Sequence, residues 1–413
     1  MFISPHRACA GLVATALVLP LLAQAGLSFD ETTRLAREQA PSLLAQHNAL
    51  AGAQALQASA TTLPDPRLSV GIDNLPISGA DRLRLTRDFM TMQRIGVMQE
   101  VPSRAKREAR AAGAQARVER EQAMLGVARL AVQREAALAW LGVFYAERRA
   151  LQLNDLEREN RVVQDTLNAR IAAGSAMPAE RTMARQDALM LADRRDDAAR
   201  DVAKARAALR RWVGARADAA LDGEPPALAV QAQTVRAGLH RHAEIAPYAA
   251  MQAMAQAEAG EVQAEQRGDW AWELAYSRRG AQFGDMVSFQ FSFDLPWQKG
   301  QRQQPQLVAK QKEVERVQAE REETIRKHSE EIEGQLAELQ ALDAQRARLE
   351  ASGQPLAAER VALALASYQA GRGDLAGVLT ARREAVETRL RLIDLDAQRA
   401  ALRIRLTTLI AEQ

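Results

Sequence analysis

From Ser103 to Arg170 the chain contains no proline and only scattered glycine, so nothing in this stretch interrupts a helical pattern. At 1.5 Å per residue the span predicts a helix on the order of 100 Å long. Such a helix is far beyond the usual length and needs packing partners along its whole extent. Its apolar positions Leu125, Ala128, Val132, Ala139 and Val143 advance in steps of three and four, and Trp140 and Phe144 widen the stripe. A broad, alanine-rich stripe predicts helices packed on both sides.

The same arrangement occurs twice, roughly half the chain length apart. In the first half, the alternating runs Leu68–Asp73 and Ile95–Pro102 precede the long helix, which ends at the turn Ala173-Gly174-Ser175. In the second half, Trp270–Tyr276 and Val287–Pro296 precede another long helix, which ends at Tyr368-Gln369-Ala370-Gly371. The expected layout is a first repeat over 26–222, with strands at about 67–73 and 92–101 and long helices at about 103–170 and 179–213. A second repeat over 223–413 carries strands at about 270–278 and 286–295 and long helices at about 300–369 and 374–410. Ser103 is the expected N-cap of the first long helix, and Pro178 marks the start of its return. Residues 29–60 and 231–267 read as one preceding helix in each repeat, and the Gly/Pro-rich stretch from Gly214 to Ala229 separates the halves.

Composition agrees with long solvated helices. Aromatic residues make up 4% and charged residues 26%, with 55 Lys+Arg against 52 Asp+Glu. That near balance, without clustered base or interleaved aromatics, predicts no nucleic-acid partner. Residues 1–25 read as a secretory signal peptide: His6 and Arg7, then an apolar stretch from Gly11 to Leu22, then Ala23-Gln24-Ala25. The only cysteine, Cys9, lies within it. Cleavage would leave an exported chain without disulfide or thiolate chemistry.

The strands carry the sharpest chemistry. Val287, Phe289, Phe291, Phe293 and Leu295 fall on one face, and Ser288, Gln290, Ser292 and Asp294 on the other. Leu68, Val70 and Ile72 likewise share a face, as do Ile95, Val97 and Val101, with Gln99 interrupting. Such alternation fits lipid on one side and water on the other, with Trp270, Trp272, Tyr276 and Trp297 as interfacial anchors. A half-buried soluble sheet alternates in the same way. Export, the restriction of strands to two hairpins and the flanking long helices favour lipid. Four strands cannot close a barrel, and an open edge cannot sit in lipid, so closure requires several chains.

This layout resembles the TolC family of outer-membrane efflux channels across essentially the whole mature chain. The segment Tyr368-Gln369-Ala370-Gly371-Arg372-Gly373-Asp374-Leu375, with Leu379 and Ala381, is similar to that family's tip turn, and Ile171-Ala172-Ala173-Gly174 is a degenerate copy without the tyrosine. Phe29-Asp30-Glu31, opening the first mature helix, also fits. Asp65–Ser69 with Asp73–Pro76, and Leu85–Asp88 through Gly96–Glu100, resemble the heavy-metal (CzcC-like) branch.

The resemblance implies a mainly α fold with a small β part: a homotrimer whose twelve-stranded barrel in the outer membrane continues as a periplasmic α-helical barrel. It implies a passive exit duct for heavy-metal cations, fed by an inner-membrane RND transporter through a periplasmic adaptor. A duct for drugs or other small molecules is the alternative, and a periplasmic coiled-coil adaptor or a soluble coiled-coil scaffold are more distant readings. Gly174, Glu180, Tyr368, Gly371, Arg372 and Asp374 would stand at the periplasmic tip and gate, although Tyr368 and Gly371 also suit a plain helix C-cap. Gly377 and Thr380 stand where some family members carry pore-narrowing aspartates. No nucleophile–base pair, phosphate loop or paired-carboxylate signature occurs, so neither catalysis nor a cofactor is expected. His240, His242 and Glu244 are close in sequence, but only His240 and Glu244 would share a helix face. The remaining histidines, His6, His47 and His328, are scattered, which predicts no metal site.

Overall fold

The computed structural model describes residues 26–409; the expected signal segment and the last four residues lie outside them. A two-residue strand β1 (Leu27–Ser28) leads into α1 (Phe29–Gln39), where the Ser28 hydroxyl accepts the Glu31 N–H at 3.1 Å. The single helix expected over 29–60 is instead two, α1 and α2 (Pro41–Ser59). Pro41 excludes helical geometry from the residue before it, and Ala40 is extended at φ −66°, ψ 118°. Strands β2 (Arg67–Asp73) and β3 (Met92–Val101) follow, then the long pair α3 (Arg104–Ala172) and α4 (Pro178–Val213). The 69 residues of α3 span about 100 Å, and Ser103 caps it by accepting from Lys106 N–H at 3.3 Å.

The segment between the halves holds an element that periodicity does not reveal. Strand β4 (Leu221–Asp222) pairs in parallel with β1. Beyond it, the expected helix over 231–267 is broken into α5 (Ala232–Ala237), a 3-10 turn (Leu239–Arg241) and α6 (Ala246–Ala264). Pro247 opens α6 in its first turn, where its missing N–H costs nothing.

Strands β5 (Trp270–Arg278) and β6 (Met286–Phe293) lead to α7 (Gln304–Arg348), α8 (Gln354–Gln369) and α9 (Leu375–Thr407). The helix expected over 300–369 is punctuated by π turns at Lys299–Gln303 and Leu349–Gly353. Each is followed, one glutamine later, by a proline, Pro305 and Pro355. Proline lacks a donor and crowds the preceding turn, and a wider turn relieves both conflicts without ending the rod.

The four longer strands form one antiparallel sheet in the order β2-β3-β5-β6. The helices run from one end of this sheet. α3 packs against α2, α4, α6 and α9, and α7 and α8 return along α9. Where α3 and α6 cross, Gly113 lies against Ala257 and Gly260 against Ala109, so small residues bring the two backbones close. The main core sits around Trp140, which is fully buried and donates its indole N–H to the Leu27 carbonyl at 3.0 Å. Phe144 stacks on that ring at 5.3 Å and Phe29 meets its edge at 5.6 Å. No described helix is long and apolar enough to cross a membrane.

Candidate functional site

At the end of the rods farthest along the chain from the sheet, both helical hairpins close in the same way. Gly174 has φ 68° and Gly371 φ 69°, left-handed values that favour glycine. In α3 the Ser175 N–H reaches Arg170 O at 2.8 Å and the Gly174 N–H reaches Ile171 O at 3.0 Å. In α8 the Arg372 N–H reaches Ser367 O at 3.0 Å and the Gly371 N–H reaches Tyr368 O at 3.1 Å. Asp374 then caps α9 by accepting the Gly377 N–H at 2.9 Å. With Ala173 N–H on Ala169 O and Ala370 N–H on Ala366 O, three of the last four carbonyls of each helix are satisfied within the turn.

The contact between the hairpins is made by side chains. The Tyr368 hydroxyl donates to Glu180 Oε2 at 2.6 Å, while Glu180 Oε1 accepts the Met177 N–H at 3.5 Å in the first turn of α4. One carboxylate therefore caps its own helix and holds the other hairpin. The Arg170 guanidinium lies over the Tyr368 ring at 4.5 Å. Burial and the Glu180 carboxylate push the Tyr368 phenol up to about 12, so it remains a donor at any physiological pH. Beneath this contact Leu167, Ala184, Leu375, Val378 and Leu379 form a small buried cluster. Of the residues expected here, Arg372 contributes through its backbone, and its side chain is exposed.

Sequence reasoning missed the polar ladder above the tip. Asp187 on α4 meets Arg383 on α9 at 3.0 Å and accepts from the buried Asn160 of α3 at 3.1 Å. Arg194 meets Glu387 at 3.0 Å and Arg149 meets Asp394 at 2.8 Å. The seven-residue step from Asp187 to Arg194 is the one available signal.

At the opposite end, the strand register sorts the sheet into two faces. One carries the row Leu68, Val97, Leu274, Phe289 and the row Val70, Ile95, Tyr276, Val287, with Trp272 opposite Phe291 and Trp270 opposite Phe293. Gln99 falls on this face too and donates to Pro64 O at 2.7 Å. Val70 is 75% exposed and Phe293 67%, so the apolar face is bare in the single chain. The other face carries Ser69, Gly96, Ala275 and Ser288, with Arg94 bridging Glu273 at 2.8 Å and Asp73 at 3.7 Å. Strands β2 and β6 are both open edges.

The expectation that the histidines are scattered is corrected. His242 lies in the bend before α6, and its ring stacks on His328 of α7 with centroids 3.9 Å apart. Both are buried, and His328 is flanked by Glu244 at 3.1 Å and Glu331 at 3.0 Å. His240 sits in a 3-10 turn and shares no helix face with Glu244. Among the described residues no group of three or more His, Cys, Asp or Glu is arranged to hold a metal ion.

No family model matches the chain, and no curated protein is significantly similar to it in sequence. Solved structures do match. A membrane protein from Pseudomonas aeruginosa superposes with a TM-score of 0.80 at 18% identity, covering 92% of this chain and 89% of that one. CusC, whose structures concern folding and transmembrane channel formation, gives 0.78 at 15% identity over 93% and 92%. The outer membrane protein VceC of Vibrio cholerae gives 0.77 at 19% identity over 92% and 95%. The chain has the fold of these proteins: a small sheet that belongs to a β-barrel, continued by a helical barrel.

Proposed function

We propose that the chain is the outer-membrane exit channel of a multi-component efflux system, working as a homotrimer with no catalysis of its own. The observation that carries this reading is a four-stranded sheet with a bare apolar face and two unpaired edges. The bare apolar face is costly in water, and the unpaired edges, whose backbone groups water can solvate, cannot sit in lipid. Pairing β6 of one copy with β2 of the next removes every edge at once, and three copies give a barrel of twelve strands, within the known range. The ten residues of β3 extend about 34 Å and, tilted by about 40°, cover the roughly 25 Å apolar band of such barrels. Lipid then meets Trp270, Trp272, Tyr276, Val287, Phe289, Phe291 and Phe293.

The polar face lines the passage, and the helical rods carry it into the periplasm. Glu180, Tyr368, Gly174, Gly371, Arg372 and Asp374 form the tip, and the Tyr368–Glu180 bond with the Asp187–Arg383 pair holds the two hairpins together. Hydrogen bonds to charged groups contribute about 1.5–3 kcal/mol each when sheltered and less when exposed. A few of them make a barrier that a docking periplasmic adaptor offsets, and energy enters from an inner-membrane transporter of the RND class.

The cargo reading is heavy-metal cations. It rests on the Asp65–Ser69, Asp73–Pro76 and Gly96–Glu100 stretches and needs no metal site, because a conduit conducts best when it binds weakly. Deleting the gene and measuring tolerance to zinc, cobalt, cadmium, copper and silver beside dyes and antibiotics tests it. Lost metal tolerance supports the cargo reading. Unchanged metal tolerance with lost drug tolerance turns the channel into a duct for small organic molecules.

A further inference from the structure

The two loops that join the strands carry a charge pattern that the conduit does not use. Residues 74–91 and 278–285 hold five arginines (Arg82, Arg84, Arg87, Arg278, Arg279) against three aspartates (Asp81, Asp88, Asp285). Two of the aspartates are already engaged. Asp88 accepts the Met90 N–H at 2.7 Å, and Asp285 accepts the Tyr276 hydroxyl and the Arg279 N–H. Arg279 is occupied as well, donating to Gly284 O at 2.7 Å. By contrast, the side chains of Arg82, Arg84 and Arg87 make no hydrogen bond or ion pair among the described residues, and Arg278 makes no direct one either, although its charge lies close enough to Asp285 to help the Tyr276 hydroxyl hold that carboxyl below its ordinary range.

Two placements make this a surface. Gly280 is seated so tightly that a Cβ there would come within 2.0 Å of the Thr86 carbonyl oxygen, so the two loops form one continuous rim. Register puts Arg278 in line with Gln93 and Ile72, two residues beyond Tyr276 and therefore on the apolar face. Leu85 joins Val70, Ile72, Ile95, Tyr276 and Arg278 in lining one outward cleft. Ile77, Leu83 and Phe89 of the same loop are exposed. Guanidinium groups without a direct hydrogen-bonded partner thus stand at the edge of an apolar band, interleaved with apolar side chains.

We infer that this rim docks the headgroup layer of a lipid leaflet whose phosphate headgroups carry net negative charge, with Arg84, Arg87 and Arg278 on the phosphates and Leu85 and Phe89 in the layer beneath. The inference rests on the channel reading, which supplies the lipid beside the sheet. Its own support is charge complementarity and the continuity of the rim with the apolar face. Guanidinium groups pair with phosphate in bidentate geometry, and each basic residue near an anionic membrane surface adds about 1 kcal/mol, or roughly fivefold in affinity.

The test uses the full chain purified in neutral detergent and titrated with mixed micelles of phosphatidic acid or of phosphatidylcholine at matched concentration. Preferential binding of phosphatidic acid is expected, weakened roughly a hundredfold in the combined variant Arg84→Gln, Arg87→Gln, Arg278→Gln, at about fivefold per arginine. The corresponding lysine variant is expected to retain most of the binding, which separates charge from folding. Equal binding of both lipids, an unaffected glutamine variant, or full competition by inorganic phosphate would each overturn the inference. A detergent-stable trimer indifferent to phosphatidic acid sinks this inference alone, whereas a water-soluble monomer sinks the channel reading beneath it.

Discussion

At the scale of single residues, the tip is a division of labour within one carboxylate. Glu180 caps α4 with one oxygen and accepts the Tyr368 hydroxyl with the other. Tyr368→Phe removes the second contact and leaves the cap. A shift of about 1 kcal/mol, or roughly fivefold toward the open state of the proposed channel, is expected as a higher open fraction in planar bilayer recordings; unchanged recordings would remove this bond from the proposed gate. Tyr368 and Glu180 were legible because a tyrosine before a turn glycine and an acid in a first turn are local patterns. Arg170, over the tyrosine ring, belongs to the other hairpin, and no local pattern links the two.

His242 has the same history, since its partner His328 is remote in sequence. The fold holds His242 neutral, its pKa lowered from 6.5 to about 4 by burial and then by His328, with Glu244, Glu331 and Arg134 also facing it. The unfolded chain takes up this proton near 6.5. The stabilising contribution is therefore complete above that pH and is lost as pH falls from 6.5 toward 4, by at most on the order of 3 kcal/mol. Thermal midpoints measured across that window are expected to fall in the native chain and to flatten in His242→Gln.

At the scale of elements, strands and long helices were legible because each repeats one rule over many residues. The period of two in Val287–Phe293 survives intact as a face of β6. Phe289→Arg, on the apolar face, is expected to destabilise the assembled barrel by about 2–4 kcal/mol, whereas Ser288→Arg, one residue along and on the polar face, costs much less. Loss of the heat-resistant oligomer on gels should separate the two, and equal effects would contradict the assignment of faces. At the turns, Gly371→Ala meets open space but a φ of 69°, so strain alone acts, costing about 1–2 kcal/mol and lowering the thermal midpoint of the helical portion. The breaks were harder to read. Pro41, Pro305 and Pro355 are visible in the sequence, yet whether a proline ends a helix or widens one turn depends on what packs beside it. The pair β1–β4 is too short to carry any period and is set by the Trp140 core below it.

At the scale of the whole molecule, the sequence layout of two hairpins, each followed by long helices, corresponds to the observed sheet and rods. What no local rule specified is that the hairpins of the two halves join through β3 and β5 into one sheet, leaving an edge at either side. Those edges leave the sheet of the single chain open at both sides, and they are the physical reason for the proposed assembly. Light scattering coupled to size exclusion, on membrane extracts with and without detergent, tests this most directly. The account predicts a particle of three chains that requires detergent to stay in solution. A monodisperse single chain in plain buffer, with its Phe289 and Phe291 rings shielded from water, would contradict it.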